Sequence, residues 1–484
     1  MTSPDRTPAR RLLPTALATA VLLAAAGCSL APTYERPAAP VPTTFPGDPA
    51  QPGGRAAADT PWQQFFTDPR LAGLIETALA NNRDLRVAAQ SIEQARAQYG
   101  VQRAALLPAV GVTGAESRSA PNSWRHYFPT AGSVSSSYSI NLGITSWEAD
   151  FFGRIRSLSD VALAKYLATE ETMRATQISL IASVATGWLT LIADEELLAI
   201  TRRTLATRED TLKLTKLRFD NGVASDLDYQ AANSLAESAR ATYAQQQRLR
   251  KQDENALALL LGAPVPASAL AGVEGGLRAI TPVPDVPAGL PSDLLAERPD
   301  IRSAEQQLIA ANANIGAARA AFFPRVALTS SIGVVSSEFD GLFNSATHAW
   351  SFAPQITLPI FSAGANQANL DAAKAAREIA VAQYEKSIQS AFREVADALA
   401  GRETLSEQAR ALDATARAEV KRYELSDLRY RNGVASSLDL LDAQRSLFTA
   451  QQQAVQARLL ELQNRVTLYK VLGGGWTNPP QPPA

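Results

Sequence analysis

The chain has 484 residues, with 46 Lys and Arg against 47 Asp and Glu and a formal net charge of −1, so no global field draws it to nucleic acid. Two histidines, His126 and His348, and one cysteine, Cys28, leave no material for a His/Cys metal cluster, a Cys/His catalytic pair or an internal disulfide. At this length three ordinary domains would fit.

Residues 1–27 read as a signal peptide. Arg6, Arg10 and Arg11 give a basic start, and the apolar run Leu12 to Ala26 is too short for a stable span. The run ends Leu23-Ala24-Ala25-Ala26-Gly27-Cys28. That resembles a bacterial lipobox, with Ala25 where Leu is usual, and it implies cleavage before Cys28 and a diacylglycerol on its thiol, with palmitate as the acyl chain. Ser29 rather than Asp follows Cys28, which by the sorting rule for such lipoproteins implies the outer membrane. Residues 28–60 are rich in Pro, Ala, Gly and Thr and read as a lipidated, extended tether. No later segment holds 18 or more continuous apolar residues. A mature chain that crosses a membrane must then do so as a closed β-barrel.

Two structured blocks are expected, at residues 61–262 and 291–473, with a linker at 263–290 and a disordered tail at 474–484. Proline is absent from 130 to 263 and from 360 to 478. Very long helices are confined to these stretches, because interior Pro breaks a helix. Each stretch holds one turn, Asn221-Gly222 or Asn432-Gly433, followed by Ser225 or Ser436 as a helix start. The predicted helices are therefore about 155–219 and 225–261, then about 365–430 and 436–472, the longer of each pair on the order of 100 Å. In the last helix Leu441, Phe448, Val455, Leu462 and Tyr469 recur every seven residues, a coiled-coil-like seam. Such stripes establish packing and not chemistry.

Strands are expected at about 108–118, 136–147, 324–335 and 350–361. Tyr138, Ile140, Leu142 and Ile144 alternate with Ser139, Asn141, Gly143 and Thr145. From Trp350 to Ile360 the even positions are again the larger apolar residues, apart from Pro354. Lengths near ten residues, one apolar face and aromatic residues near the ends suit transmembrane strands. A half-buried hairpin shows the same alternation. Four strands cannot close a barrel, but three copies would give twelve, enough to leave a lumen.

The two blocks are copies of each other. A shift of 216 lays Asp84–Thr113 on Asp300–Thr329 with thirteen of thirty positions identical, among them Gly100/Gly316 and Arg103/Arg319. A shift of 211 lays the nine residues Leu217–Ser225 on Leu428–Ser436, and only Phe219/Tyr430 and Asp220/Arg431 differ. Units of this size are too large for a short-period solenoid.

On these residues the chain resembles the TolC-type outer-membrane efflux channels, in their OprM-like lipoprotein branch, from Cys28 to Trp476. The motifs that carry the resemblance include Trp62-x-x-Phe65-Phe66-x-Asp68-Pro69, Trp147-Glu148-Ala149-Asp150-Phe151-Phe152-Gly153-Arg154, Gly289-Leu290-Pro291-Ser292-Asp293-Leu294-Leu295, Arg298-Pro299-Asp300-Ile301, Glu394-Val395-Ala396-Asp397 and Leu440-Leu441-Asp442-Ala443-Gln444-Arg445-Ser446-Leu447. The resemblance implies a mainly α fold with membrane β: a homotrimer with a 12-stranded β-barrel in the outer-membrane lipid and a long α-helical barrel in the periplasm. It implies a periplasmic adaptor and an inner-membrane RND-type pump as partners, drug efflux as the function, and no cofactor.

Leu438, Asp442 and Arg445 stand at i, i+4 and i+7 on one helix face. An exposed Asp–Arg pair on a solvated helix explains the same letters. The resemblance instead implies a periplasmic gate at these three residues, with three leucines and three carboxylates converging on one axis. The first copy has Ala231 where the second has Asp442, so the gating hairpin is assigned to residues 365–472. Asn221, Gly222, Val223 and Ser225, with Asn432, Gly433, Val434 and Ser436, are good turn chemistry, and the resemblance adds adaptor docking at these tips. Asp150, Glu394 and Asp397 have no His or Gly-rich phosphate loop nearby in sequence, and no enzyme activity is expected. A type I protein-secretion channel and a periplasmic coiled-coil scaffold or adaptor remain as alternatives.

Overall fold

The computed structural model describes residues 29–45, 57, 60–120, 134–272, 275–286, 297–344 and 347–475. The signal peptide, Cys28, the Gly289–Leu295 motif and the tail from Trp476 lie outside the described residues. In chain order the elements are α1 (Trp62–Phe65), α2 (Pro69–Asn81), α3 (Arg83–Ala104), β1 (Val110–Ser119), β2 (Ser135–Ala149), α4 (Arg154–Asp220) and α5 (Asp226–Leu261). There follow two short 3₁₀ turns, then α6 (Pro299–Ala320), β3 (Arg325–Ser336), β4 (His348–Thr357), α7 (Ala365–Arg431) and α8 (Ser437–Val471). Among the described residues the chain is mainly helical, with one four-stranded antiparallel sheet in the order β1-β2-β3-β4. It divides into two compact units.

The first unit holds Ile92–Thr169, Ala304–Tyr384 and the chain up to Ala38, and it contains the sheet. The register sorts the side chains onto two faces. Val112, Leu142, Ile332 and Trp350 form one row, and Val110, Ile144, Ser330 and Phe352 the next. The opposite face is small and polar: Gly111, Gly143, Ser331 and Ser351, then Thr113, Asn141, Gly333 and Ala349. One extra residue in β2 between Ile144 and Trp147 shifts the parity, so Trp147 joins Leu142 and Ile144 on the apolar face. That face is solvent-exposed within one chain, Trp350 and Ile332 included. An apolar sheet face of this kind requires lipid or another protein surface. At the foot of the sheet Glu148 pairs with both Arg154 and Arg325 at 2.7 Å.

Two details of this unit differ from expectation. β4 stops at Thr357 and not near 361, because Pro359 has no N–H to continue the ladder. Residues 29–36, expected as an extended tether, are extended and seated on α6. Arg319 donates to the Leu30 carbonyl at 3.0 Å, Asn312 to that of Pro32 at 2.7 Å, and Tyr34 and Arg36 both bond Glu305. Six extended residues reach about 20 Å, matching the fourteen helical residues from Glu305 to Arg319 at about 21 Å. Gly316 admits the strap: a Cβ there would lie 2.8 Å from Ala31.

The second unit holds Ala39–Ser91, Glu170–Ser303 and the chain from Glu385. Its core includes Phe65 stacked on Tyr469 at 3.9 Å, with Phe66 edge-on to both. Trp188, fully buried, donates Nε1–H to the Ala269 carbonyl at 2.9 Å. α4 contains a window with a mean hydropathy of 1.4, 56 % buried inside the protein; this is a core segment, packed by Ile181, Val184, Leu189, Leu191 and Ile192. The duplication is visible in bonds as well as letters. Asn82 donates to the Leu260 carbonyl at 2.9 Å, and Arg298, its counterpart, donates to that of Val471 at 3.0 Å. Arg298 is buried and is also paired with Asp300 and Glu394, which satisfies its charge.

Candidate functional site

The two helical hairpins end in turns of the same construction. At the first, Gly222 N–H bonds the Phe219 carbonyl and Val223 N–H that of Arg218; at the second, Gly433 bonds Tyr430 and Val434 bonds Arg429. This is the Schellman pattern, and it needs a left-handed residue. Gly222 and Gly433 supply it at φ 71° and 74°. Asn221 and Asn432 each donate to the carbonyl four residues back at 2.7 Å. Ser225 with Asp228, and Ser436 with Asp439, form complete capping boxes that restart α5 and α8.

The tips also touch each other. Ser437 donates its hydroxyl to Asp228, and the Arg218 guanidinium lies 4.7 Å from the Tyr430 ring centre. The hydroxyls of Ser225 and then Ser437 hold the Asp228 carboxyl below its ordinary range. Val223, Leu227, Val434 and Leu438 are left exposed at this end, an apolar fringe on the otherwise polar tips.

Leu438, Asp442 and Arg445 do share one face of α8. Leu438 is 71 % exposed. Arg445 Nη2 donates to Asp442 Oδ1 at 2.5 Å. The sequence reading missed a fourth member, Arg422 on α7. Its Nη2 bonds the other Asp442 oxygen at 2.5 Å, and its Nη1 pairs with Glu419 at 3.1 Å. Asp442 is thus held from both helices of the hairpin, and Arg422 first, then Arg445, keeps its carboxyl below the usual range. The signal was available: Arg422 and Asp442 lie equally far from Asn432, so an antiparallel hairpin folded there brings them face to face. The first repeat carries Thr211, Ala231 and Ser234 at the positions of Arg422, Asp442 and Arg445. Only the second hairpin has the charged latch.

The acids set aside as catalytic candidates have ordinary partners. Asp150 accepts from the Arg156 backbone at 2.8 Å, Glu394 pairs with Arg298 at 2.9 Å and Asp397 faces Arg393 at 4.0 Å. Among the described residues no cluster of three or more His, Cys, Asp or Glu side chains could hold a metal.

Comparison with known proteins follows the same outline. The family described as outer membrane efflux protein matches residues 74–263 and 290–474, covering both repeats. The toluene efflux pump outer membrane protein TtgC of Pseudomonas putida is 48 % identical over 454 residues, 93 % of each chain. Outer membrane protein OprJ of Pseudomonas aeruginosa is 44 % identical over 461 residues, 94 % of this chain and 95 % of its own. Among solved structures, the open-state MtrE outer membrane channel of Neisseria gonorrhoeae superposes with a TM-score of 0.84 at 43 % identity, covering 94 % of this chain and all of that one. The outer membrane protein VceC of Vibrio cholerae gives 0.76 at 26 % identity, over 87 % of this chain and all of its own. With two long helical hairpins, an exposed apolar sheet face and a family match across both repeats, the chain is an outer-membrane efflux channel protein and belongs to the outer membrane efflux protein family.

Proposed function

We propose that three copies of this chain assemble into the passive exit duct of a tripartite drug- and solvent-export machine, with a periplasmic adaptor and an inner-membrane RND-type pump. The sheet carries this reading. Its four strands present an apolar face to the outside and leave β1 and β4 as open edges. Open edges are not tolerated in lipid, and β1 of one copy against β4 of the next closes a twelve-stranded barrel with room for a lumen. The small polar face lines that lumen. The helical hairpins form the periplasmic portion, and no reaction is catalysed; the pump supplies energy and selects cargo.

In this duct Leu438, Asp442 and Arg445, joined by Arg422, form the periplasmic gate. The tips at Asn221–Ser225 and Asn432–Ser436 dock the adaptor, and Cys28 carries the lipid. The strap on α6 supports the last point, because it begins immediately after Cys28 and holds that end of the chain against the helix that leads into β3. Particle imaging of detergent-purified protein tests the assembly: threefold rings are expected, and monomers or dimers overturn it. Mass spectrometry of the mature protein tests the lipid, and efflux by a strain carrying bulky residues at both Gly222 and Gly433 tests docking.

A further inference from the structure

Arg208 on α4 is 5 % exposed and has no carboxylate partner among the described residues. Its Nη1 donates to the Leu235 carbonyl at 3.2 Å, and its guanidinium carbon lies 5.3 Å from the Phe448 ring centre. Neither neighbour carries a countercharge, and Nε is buried with no partner at all. Burial, and then Arg445 nearby, push the guanidinium pKa down, but arginine keeps its proton in proteins. A buried, uncompensated cation is one of the costliest arrangements a fold can hold. Arg298, also buried in this unit, shows the ordinary solution, with two carboxylates on it.

Arg208 lines a cleft of about 310 Å³ between α4, α7 and α8, the lower end of the size range for small-molecule sites. The cleft is amphipathic. Ile200, Leu447 and Phe448 form its apolar walls, and Arg203 adds a second cation. Glu424, the one acid in the lining, is paired with Lys421 at 3.0 Å. The electrostatic balance therefore favours an anion, and the walls favour one with an apolar body.

We propose that this cleft is a binding site for a small organic monoanion, a carboxylate or sulfonate on an apolar ring or chain, with its acid group on Arg208 and its body against Phe448, Leu447 and Ile200. The acid oxygens accept from the guanidinium edge that lines the cleft and supply the missing charge. The site is distinct from the latch at Asp442, whose arginines are exposed and already paired. It does not depend on the gating role proposed for that latch.

The test is calorimetric titration of the full-length assembled protein in detergent with benzoate, its neutral isostere benzamide, and inorganic phosphate as a control for charge without an apolar body. Benzoate should bind saturably at one site per chain, and benzamide and phosphate each at least about tenfold more weakly, since an ionised acceptor on a guanidinium is much the stronger bond. Arg208→Met should abolish benzoate binding, and Arg208→Lys should retain part of it. The wild-type comparison of benzoate with benzamide stands even if a variant fails to assemble. Equal affinity for the two, undiminished benzoate binding by Arg208→Met, or no saturable binding up to about 10 mM would each overturn the proposal.

Discussion

Gly100 and Gly316 occupy the same place in the two repeats, yet alanine at each should act with opposite sign. In a helix interior Gly→Ala gains about 0.5–1 kcal/mol from backbone entropy. At Gly100 nothing lies within 4 Å of the added Cβ, so the gain stands. At Gly316 the Cβ would fall 2.6 Å from Ser157 Oγ and 2.8 Å from both N and Cβ of Ala31. The serine hydroxyl can rotate, but Ala31 cannot move without lifting the strap. Overpacking of this kind costs about 1–3 kcal/mol, and the flanking bonds to the Leu30 and Pro32 carbonyls contribute about 1 kcal/mol each. The helical gain is the same with the strap docked or lifted and does not offset this, so Gly316→Ala should loosen the strap by about 1–3 kcal/mol, which multiplies its open population roughly 5–150-fold. A glutamate-specific protease reports this directly, because Glu35 is exposed and cleavage tracks the open population when reclosing is fast. Gly316→Ala should be cut after Glu35 several-fold faster than wild type, and Gly100→Ala at the wild-type rate with equal or higher thermal stability. Equal cleavage rates in all three proteins would refute the reasoning.

Three further outcomes are expected. Arg422→Leu should raise single-channel conductance in planar bilayers, as should Asp442→Asn, with Arg422→Lys partly restoring the closed level; unchanged conductance in both variants removes the latch from the gate. The Asp442 pKa is depressed, so the latch is fully present above the ordinary carboxylate pKa and is lost only as pH falls through the depressed value. Conductance should therefore stay flat down to about pH 4 and rise below it, and a rise already between pH 6 and 5 would contradict this. Asp194 behaves in the opposite sense: burial, then Asp253 beside it, push its carboxyl up to about 7. The folded protein then holds a proton that the unfolded chain releases, and stability declines as pH rises from about 4 to 7. Asp194→Asn should raise thermal stability more at pH 8 than at pH 5, and an equal gain at both would disprove the assignment.

The fold class was legible because two signals coincide twice. Long Pro-free stretches permit long helices, and Asn-Gly-Val-Ala-Ser marks the turn in each. The strands were legible from alternation, and the parity shift at Trp147 was not, since a bulge leaves no distinctive letter. α3 and α6 were not anticipated as helices because both lie outside the two long Pro-free stretches, although each carries an apolar seven-residue repeat, Leu85, Ile92 and Tyr99 in one and Ile301, Leu308 and Ile315 in the other; among α3 residues only Leu85 is buried. The seat of the strap on α6 was not legible because Pro-rich composition describes the chain alone, whereas its fixing bonds come from α6, some 270–290 residues away in sequence. Asp442 and Arg445 were found as neighbours on one helix. Arg422 required folding the hairpin about Asn432. Arg208 leaves no trace in the sequence, because nothing in its neighbours along α4 tells whether a lone arginine on a long helix is solvated or enclosed.

The seam between β2 and β3 joins the two repeats within one sheet. A half-length ancestor with two strands and one hairpin would need six copies to supply the same twelve strands, and every hairpin would then be identical. The ring would then carry six such carboxylates, each with its own arginines. Fusion into one chain frees the halves to diverge. One hairpin keeps Thr211, Ala231 and Ser234 as neutral spacers, and the other specialises in charge through Arg422, Asp442 and Arg445. Covalent linkage of the repeats thereby fixes the alternation of plain and charged hairpins around the ring, an order that six separate identical subunits have no means to encode.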